Sequence, residues 1–190
     1  MSFKNRALPL VAMGFHVFPV NGKIPAIKGW KFAATTDIDK IEEWSGRFPD
    51  SNVGIATGIN GLLVIDVDDI SSESAHKLLP LIPATLCCRT GRRLGMHEYV
   101  RVPHGLFTVA TMAGVDIRCE SGFVVAAGSK HANGTVYEWV DPTVPIATLP
   151  VGAIELLKEM IRKPVATYAA ESHNGLVPAG VRHSYLRKEI

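Results

Sequence analysis

Three cysteines in 190 residues, Cys87, Cys88 and Cys119, are too few for a disulfide framework and too badly spaced for a zinc site. They read as small buried residues of a reducing compartment. No run approaches the ~20 apolar residues needed to span a bilayer. The opening segment MSFKNRALPLVAMG has neither the apolar core nor the cleavage pattern of a secretion signal. A cytoplasmic protein with no membrane partner is therefore expected. Charge of one sign is also missing: 20 Lys and Arg against 18 Asp and Glu leave +2. Composition thus does not announce a nucleic-acid binder, although net charge says nothing about a local basic face. Internal repeats are absent. What remains is 47% apolar residues, enough for a real core, and 17 glycines and 12 prolines that imply many turns.

Along the chain, residues 3–13 read as a helix that stops at Gly14, followed by a strand, FHVFPV, and a turn-rich loop, NGKIPAIKGW, carrying Lys23 and Lys28. TTDIDKIEEW opens a second helix, with Thr36 or Asp37 as cap and Ile38, Ile41 and Trp44 at helical spacing. NVGIATG and LLVIDVD read as strands joined across Asn60-Gly61, a strong hairpin cue. Ser71 or Ser72 can cap a helix through ESAHKLLPLI. ATLCCRT and HEYVRV flank the turn GRRLGM, GVDIRCE and GFVVAAGS suggest another hairpin, and TVYEWV follows the turn HANG. GAIELLKEMI is an amphipathic helix with Ile154, Leu157 and Ile161 near one face. Mixed order without regular βαβ alternation argues for an α+β fold. Residues 1–163 are expected to form the functional domain. Residues 164–190 read as a linker and the start of a further helical element.

The run GLLVIDVDD, residues 61–69, passes from core into three carboxylates. On a strand Asp66 and Asp68 share one face while Val67 points the other way, so the two carboxylates start roughly 7 Å apart. Their repulsion is on the order of 2 kcal/mol at an effective dielectric near 20. They are either solvated turn residues or ligands of a hard divalent cation, for which oxygen donors at this spacing suit Mg2+ or Mn2+. Asp116 lies in a similar apolar run, Val115-Asp116-Ile117, with Arg118 on its face. TGRRLGMHEYV places Arg92 and Arg93 in a glycine-bounded turn ahead of His97, and such turns let guanidinium and backbone amides approach phosphate. Ser129, Lys130 and His131, in GSKHANG, sit at a strand end and are candidate phosphate contacts; Lys23 and Lys28 are candidate guides for template or nucleotide. Trp30, Trp44 and Trp139 fit a core better than a base-stacking surface. Glu98 alternates away from His97 and is not expected to be a ligand. Three aspartates with arginines and a histidine nearby are what phosphoryl or nucleotidyl transfer uses: carboxylates for two metal ions and cationic groups for a triphosphate.

In this order the segments resemble the bifunctional DNA primase/polymerase (Prim-Pol) domain of the archaeo-eukaryotic primase superfamily, found in phage and plasmid replication proteins. The likeness covers residues 7–150: GFHVFPVNGKIPAIKGW with ATTDIDKIEEW, NVGIATG with GLLVIDVDD, TGRRLGMHEYV, and GVDIRCESGFVVAAGSKHANGTVYEW. It implies that Asp66, Asp68 and Asp116 are the catalytic, metal-holding carboxylates and that His97 contacts nucleotide. It implies an N-terminal α/β module packed on a module like an RNA-recognition fold, with the active cleft between them. The implied activity is primer synthesis on a single-stranded DNA template from ribo- or deoxynucleoside triphosphates, with a helicase domain possible in a longer protein. Where the family commonly has a Gly-Gly pair before the histidine, this chain has RRLG. A domain that keeps the shape and binds single-stranded DNA or nucleotide without catalysis is the alternative. A strand-nicking enzyme with a tyrosine nucleophile prefers paired histidines, and HEY offers one.

Overall fold

A computed structural model describes residues 1–91 and 94–162. Helix α1 (Phe3–Ala12) is capped by the Ser2 hydroxyl and ends before Gly14, whose φ of 84° only glycine adopts easily. Strand β1 (Val17–Asn21) turns at Gly22 into β2 (Ile24–Pro25). A short α2 (Trp30–Ala33) precedes α3 (Ile38–Arg47), capped by Asp37, which accepts from the Asp39 N–H at 2.9 Å. Strands β3 (Asn52–Ala56) and β4 (Leu62–Val67) lead to α4 (Glu73–Leu78), capped by Ser72. The chain then turns β-rich: β5 (Cys87–Arg89), β6 (Met96–Arg101), β7 (Ala110–Met112), β8 (Val115–Arg118), β9 (Phe123–Val125), β10 (Glu138–Trp139) and β11 (Ala147–Thr148). Helix α5 (Val151–Arg162) follows. The mixed α+β expectation matches this order. Expectations for residues 164–190, the linker, the further helix and any link to a helicase, lie outside the described residues.

The strands form two sheets. One has four strands in the order β2-β1-β3-β9; the other has seven, ordered β10-β5-β6-β4-β8-β7, with β11 parallel to β6. Helices α1 and α3 bring Phe3, Ala7, Leu10, Ile41 and Trp44 into a core with Val17, Val53 and Ile55. That core also takes Leu62, Val64, Cys88 and Tyr99 from the larger sheet. A second core holds Leu63, Ile65, Val67, Val100, Val115 and Ile117 against Ala75 and Leu78 of α4 and Ile154 and Leu157 of α5. Strand β4 is therefore buried on both faces, which is why its sequence reads as a continuous apolar run instead of an alternating one.

Two expected hairpins do not form. β3 and β4 lie in different sheets, because β4 is paired along all six residues with β6 and along four with β8, while β1 and β9 take both edges of β3. Asn60 and Gly61 adopt the left-handed angles a tight hairpin would use, φ 54° and 68°, but in a 3-10 turn that carries the chain from one sheet to the other. β8 and β9 are likewise separated: β8 makes its hairpin with β7, and the turn at Ser121 and Gly122 crosses to the small sheet. The two crossings are fastened together by Thr57, whose N–H donates to Gly122 O at 3.0 Å and whose hydroxyl donates to Cys119 O at 2.6 Å. The expected β5–β6 hairpin and the turn at 131–134 do form, whereas the β7–β8 hairpin was not expected from the sequence. Ile38 is 58% exposed, unlike Ile41 and Trp44. Steps of three residues drift about 60° each around a helix, which puts Ile38 roughly 120° from Trp44.

Two measurements probe this packing. A Cβ on Gly61 would stand 2.1 Å from Val102 O, across the bond in which Val102 N–H donates to Gly61 O at 2.9 Å. Gly61→Ala is expected to cost about 3 kcal/mol or more by thermal or urea unfolding. Gly105→Ala, with φ 74° but open space, should cost only about 1–2 kcal/mol. Glu98 sits on β6 opposite Cys87 and Ile65, 4% exposed, and burial raises its carboxyl to about 7 against the lowering effect of the Cys87 thiol. The folded state holds that proton more tightly than the unfolded chain does. The stability due to neutral Glu98 is thus full below the ordinary carboxylate range and lost as pH rises through about 7. Glu98→Gln should be more stable than the parent at pH 8, by at most about 3 kcal/mol in urea unfolding, with the difference vanishing near pH 4.

Candidate active site

The register of three adjacent strands builds the site. Asp66 on β4 lies directly opposite His97 on β6 and directly opposite Asp116 on β8. Cross-strand partners have Cα atoms about 5 Å apart with side chains on the same face. Cys88 on β5 continues this row beyond His97, and Thr111 on β7 continues it beyond Asp116. The face is that of Val64 and Tyr99, turned toward the core shared with the small sheet. Asp68 lies just past the end of β4. Its N–H donates to Gly114 O at 3.0 Å, and the same carbonyl takes the Asp69 N–H at 3.1 Å. Gly114 is in the β7–β8 turn, two residues before Asp116, so the backbone of Asp68 is pinned to the hairpin that carries the third carboxylate. Asp69 takes a different part: its Oδ1 accepts from the N–H and hydroxyl of Ser71, forming the turn into α4.

Like charges facing one another across a ladder destabilise it unless cations attend them. Burial pushes the Asp66 carboxyl upward, but His97, Arg118 and Lys23 outweigh it and hold the pKa below the usual carboxylate value. His97 Nε2 is 3.4 Å from Asp66 Oδ1. Arg118 is ion-paired and hydrogen-bonded to Asp116. Asp66 and Asp116 are both mostly but not fully covered. His97 is nearly enclosed, its ring 5.8 Å from that of Tyr137 and 6.3 Å from that of Tyr99. Its Nδ1 is buried without a hydrogen-bond partner among the described residues.

A chain of rings leads outward from this row. His131 packs on Tyr137 at 5.9 Å, and Tyr137 on His97. His131 in turn covers Gly91, where a Cβ would lie 2.1 Å from the imidazole Cγ. Gly91 O accepts from Asn133 Nδ2 at 2.6 Å, which clamps the start of the TGRRLGM turn. Arg92 and Arg93 themselves lie outside the described residues. Ser129 is fully buried, with its hydroxyl accepting from the Val53 N–H at 3.0 Å, so it faces the small sheet and not solvent. Lys23 and Lys28 are exposed. Trp30 packs on Phe18 and Phe123, Trp44 is enclosed, and Trp139 lies on Phe15 and Tyr99, as core residues do. The three cysteines are buried and unbridged, and burial raises the Cys119 thiol to about 11.

Two residues near the site were not singled out in the sequence: Tyr137, which links the two histidines, and Asn52, which opens β3 as a buried polar residue. A polar residue at the head of an apolar strand is the only local signal for Asn52.

Among the described residues no three of Asp, Glu, His and Cys are gathered as a bound metal would gather them. The reason is visible in the pairing: Asp66 leans to His97 and Asp116 to Arg118. The donor chemistry still suits a hard divalent cation, because two carboxylates occupy neighbouring positions on adjacent strands and a third carboxylate follows within two residues. No helix among the described residues is long and apolar enough to cross a membrane.

The family model described as bifunctional DNA primase/polymerase, N-terminal, matches residues 7–151. No curated protein matches significantly. The matched span contains all three aspartates, the histidine row and both sheets, so the chain belongs to the family of bifunctional DNA primase/polymerase N-terminal domains.

Proposed function

We propose that the chain is a template-directed primase/polymerase that builds primers from nucleoside triphosphates on single-stranded DNA, in phage, plasmid or mobile-element replication. The observation that carries this reading is the register: Asp66 faces Asp116 across the β4–β8 ladder, with Asp68 held to the same hairpin. Asp66, Asp68 and Asp116 would hold Mg2+ or Mn2+. Such ions, when bound, lower the pKa of the attacking 3′-hydroxyl and neutralise charge on the departing pyrophosphate.

The chain's own residues prepare that chemistry. His97 and Arg118 help hold the Asp66 carboxyl below its usual range, in the ionised form that ligates, and Arg118 is ion-paired with Asp116. His97 also orients Asp66 and stands between it and Tyr137, where we assign it the contact to nucleotide. We assign His131, which covers Gly91 at the start of the TGRRLGM turn, and the two arginines of that turn's sequence, Arg92 and Arg93, to the phosphates. Ser129, with its hydroxyl turned inward, serves this reading by fixing the turn that carries His131.

Support for a module like an RNA-recognition fold comes from the strand order β8-β4-β6-β5 with α4 between β4 and β5. We place nucleotide and template in the cleft between this sheet and the four-stranded one.

The test is primer synthesis with single-stranded template, labelled nucleotides and Mg2+ or Mn2+. Short products are expected, reduced roughly 100-fold or more in Asp66→Ala and in Asp116→Ala. Product formation unchanged in both variants would remove the carboxylates from the reaction. Absence of product under every template and metal, with nucleotide binding intact, would instead identify a non-catalytic binding module.

A further inference from the structure

One buried amide joins two lysine-bearing loops. Asn52, the first residue of β3, is 7% exposed. Its Nδ2 donates to Gly22 O at 3.3 Å and to Lys130 O at 2.7 Å, and its Oδ1 accepts from the Lys130 N–H at 2.8 Å. Gly22 is the left-handed turn residue between β1 and β2, with φ 61°, and Lys23 follows it. The next residue of β3 repeats the attachment, since the Val53 N–H donates to Ser129 Oγ. Both partners of Nδ2 are carbonyls and the partner of Oδ1 is an N–H, so the site needs a donor and an acceptor on one short side chain. An aspartate there would set a carboxylate oxygen against two carbonyls.

We infer that Asn52 builds a subsite for the polyphosphate tail of a nucleoside triphosphate by fixing Lys23 and Lys130 beside one another at the Asp66 end of the large sheet. This rests on the nucleotide-using reading above and adds the residues that take the phosphates farthest from the transferred one. Both lysines are exposed. The lysines Lys4, Lys40, Lys77 and Lys158 each pair with a glutamate, whereas Lys23 and Lys130 have no ion pair among the described residues. The Tyr137 N–H donates to Ser129 O at 2.9 Å, and the Tyr137 ring packs on His97, so the strand end that Asn52 ties to the Lys23 turn adjoins the histidine opposite Asp66. Lys130 immediately precedes His131, whose ring leads through Tyr137 to His97. Two ammonium groups on flexible stems suit a polyphosphate, whose charge is spread over several oxygens and needs no single planar fork.

The test measures equilibrium binding of a labelled nucleoside triphosphate, and separately of a single-stranded oligonucleotide, to the full chain. Lys23→Ala and Lys130→Ala are each expected to weaken triphosphate binding roughly tenfold, the size of one lost charge-assisted contact, with oligonucleotide affinity unchanged. Inorganic tripolyphosphate should compete with the nucleotide on the parent and poorly on either variant. Asn52→Ala should weaken triphosphate binding as much as a lysine variant does, and adding Lys23→Ala to it should cost much less than the product of the two separate losses. In steady-state synthesis the losses should appear in KM with kcat changed less than about threefold. A purely structural Asn52 would lower the melting temperature and leave nucleotide affinity where it was, which overturns the inference. So does triphosphate binding unchanged in both lysine variants, the more so if oligonucleotide affinity falls instead. Because binding is read without turnover, a parent protein that binds tripolyphosphate through these lysines yet makes no primer would keep the subsite and refute the polymerase reading. Active primer synthesis insensitive to all three substitutions would do the reverse.

Discussion

Strand β4 is the constraint on which the rest depends. It is paired over its whole length with β6 and over four residues with β8, and both of its faces are buried. A slip of one residue in either ladder would turn Asp66 into the helix-covered core and bring Ile65 or Val67 to the other face. The same register that packs Leu63, Ile65 and Val67 against α4 and α5 therefore brings Asp66 between His97 and Asp116. Hydrophobic packing sets the chemistry here: the apolar half of the strand holds the polar half in line.

Concentrating carboxylates at the end of a buried strand has an electrostatic cost, and the chain meets it locally. His97, Arg118 and Lys23 come from three separate elements and attend the pair Asp66 and Asp116, while Asp69 is spent on the turn into α4. A protein of net charge +2 can thus hold a strongly polarised site, because counter-ions are supplied residue by residue and not by a basic composition.

The two sheets are joined by polar side chains as well as by a shared core. Thr57 fastens the two crossings, and Asn52 and Ser129 fasten the segment after β9 to the head of β3. All three are buried, and each makes the hydrogen bonds that its burial demands. The Asn52 bonds to Gly22 and Lys130 hold the turn bearing Lys23 and the segment bearing Lys130 to the same end of β3.

The types and order of the longer elements were legible in the sequence, though not the short β2, α2, β7 and β11, because periodicity, caps and turn residues are local signals: Asp37 and Ser72 cap as expected, and Gly14 ends α1. So was the turning away of Glu98 from His97, which follows from strand geometry alone. The pairing of strands was not. Asn60-Gly61 has the chemistry of a hairpin and the angles of one, yet β4 already had a neighbour on each edge and the turn served a crossing between sheets. The inward hydroxyl of Ser129 and the clamp made by Asn52 were hidden for the same reason, since their partners lie 76 and 78 residues away. By itself the sequence determined which groups could do chemistry and on which side of each strand they stand. Only the tertiary structure decided which strands lie edge to edge, because pairing is a competition among all edges for hydrogen bonds and buried area, and no short stretch of chain contains that competition.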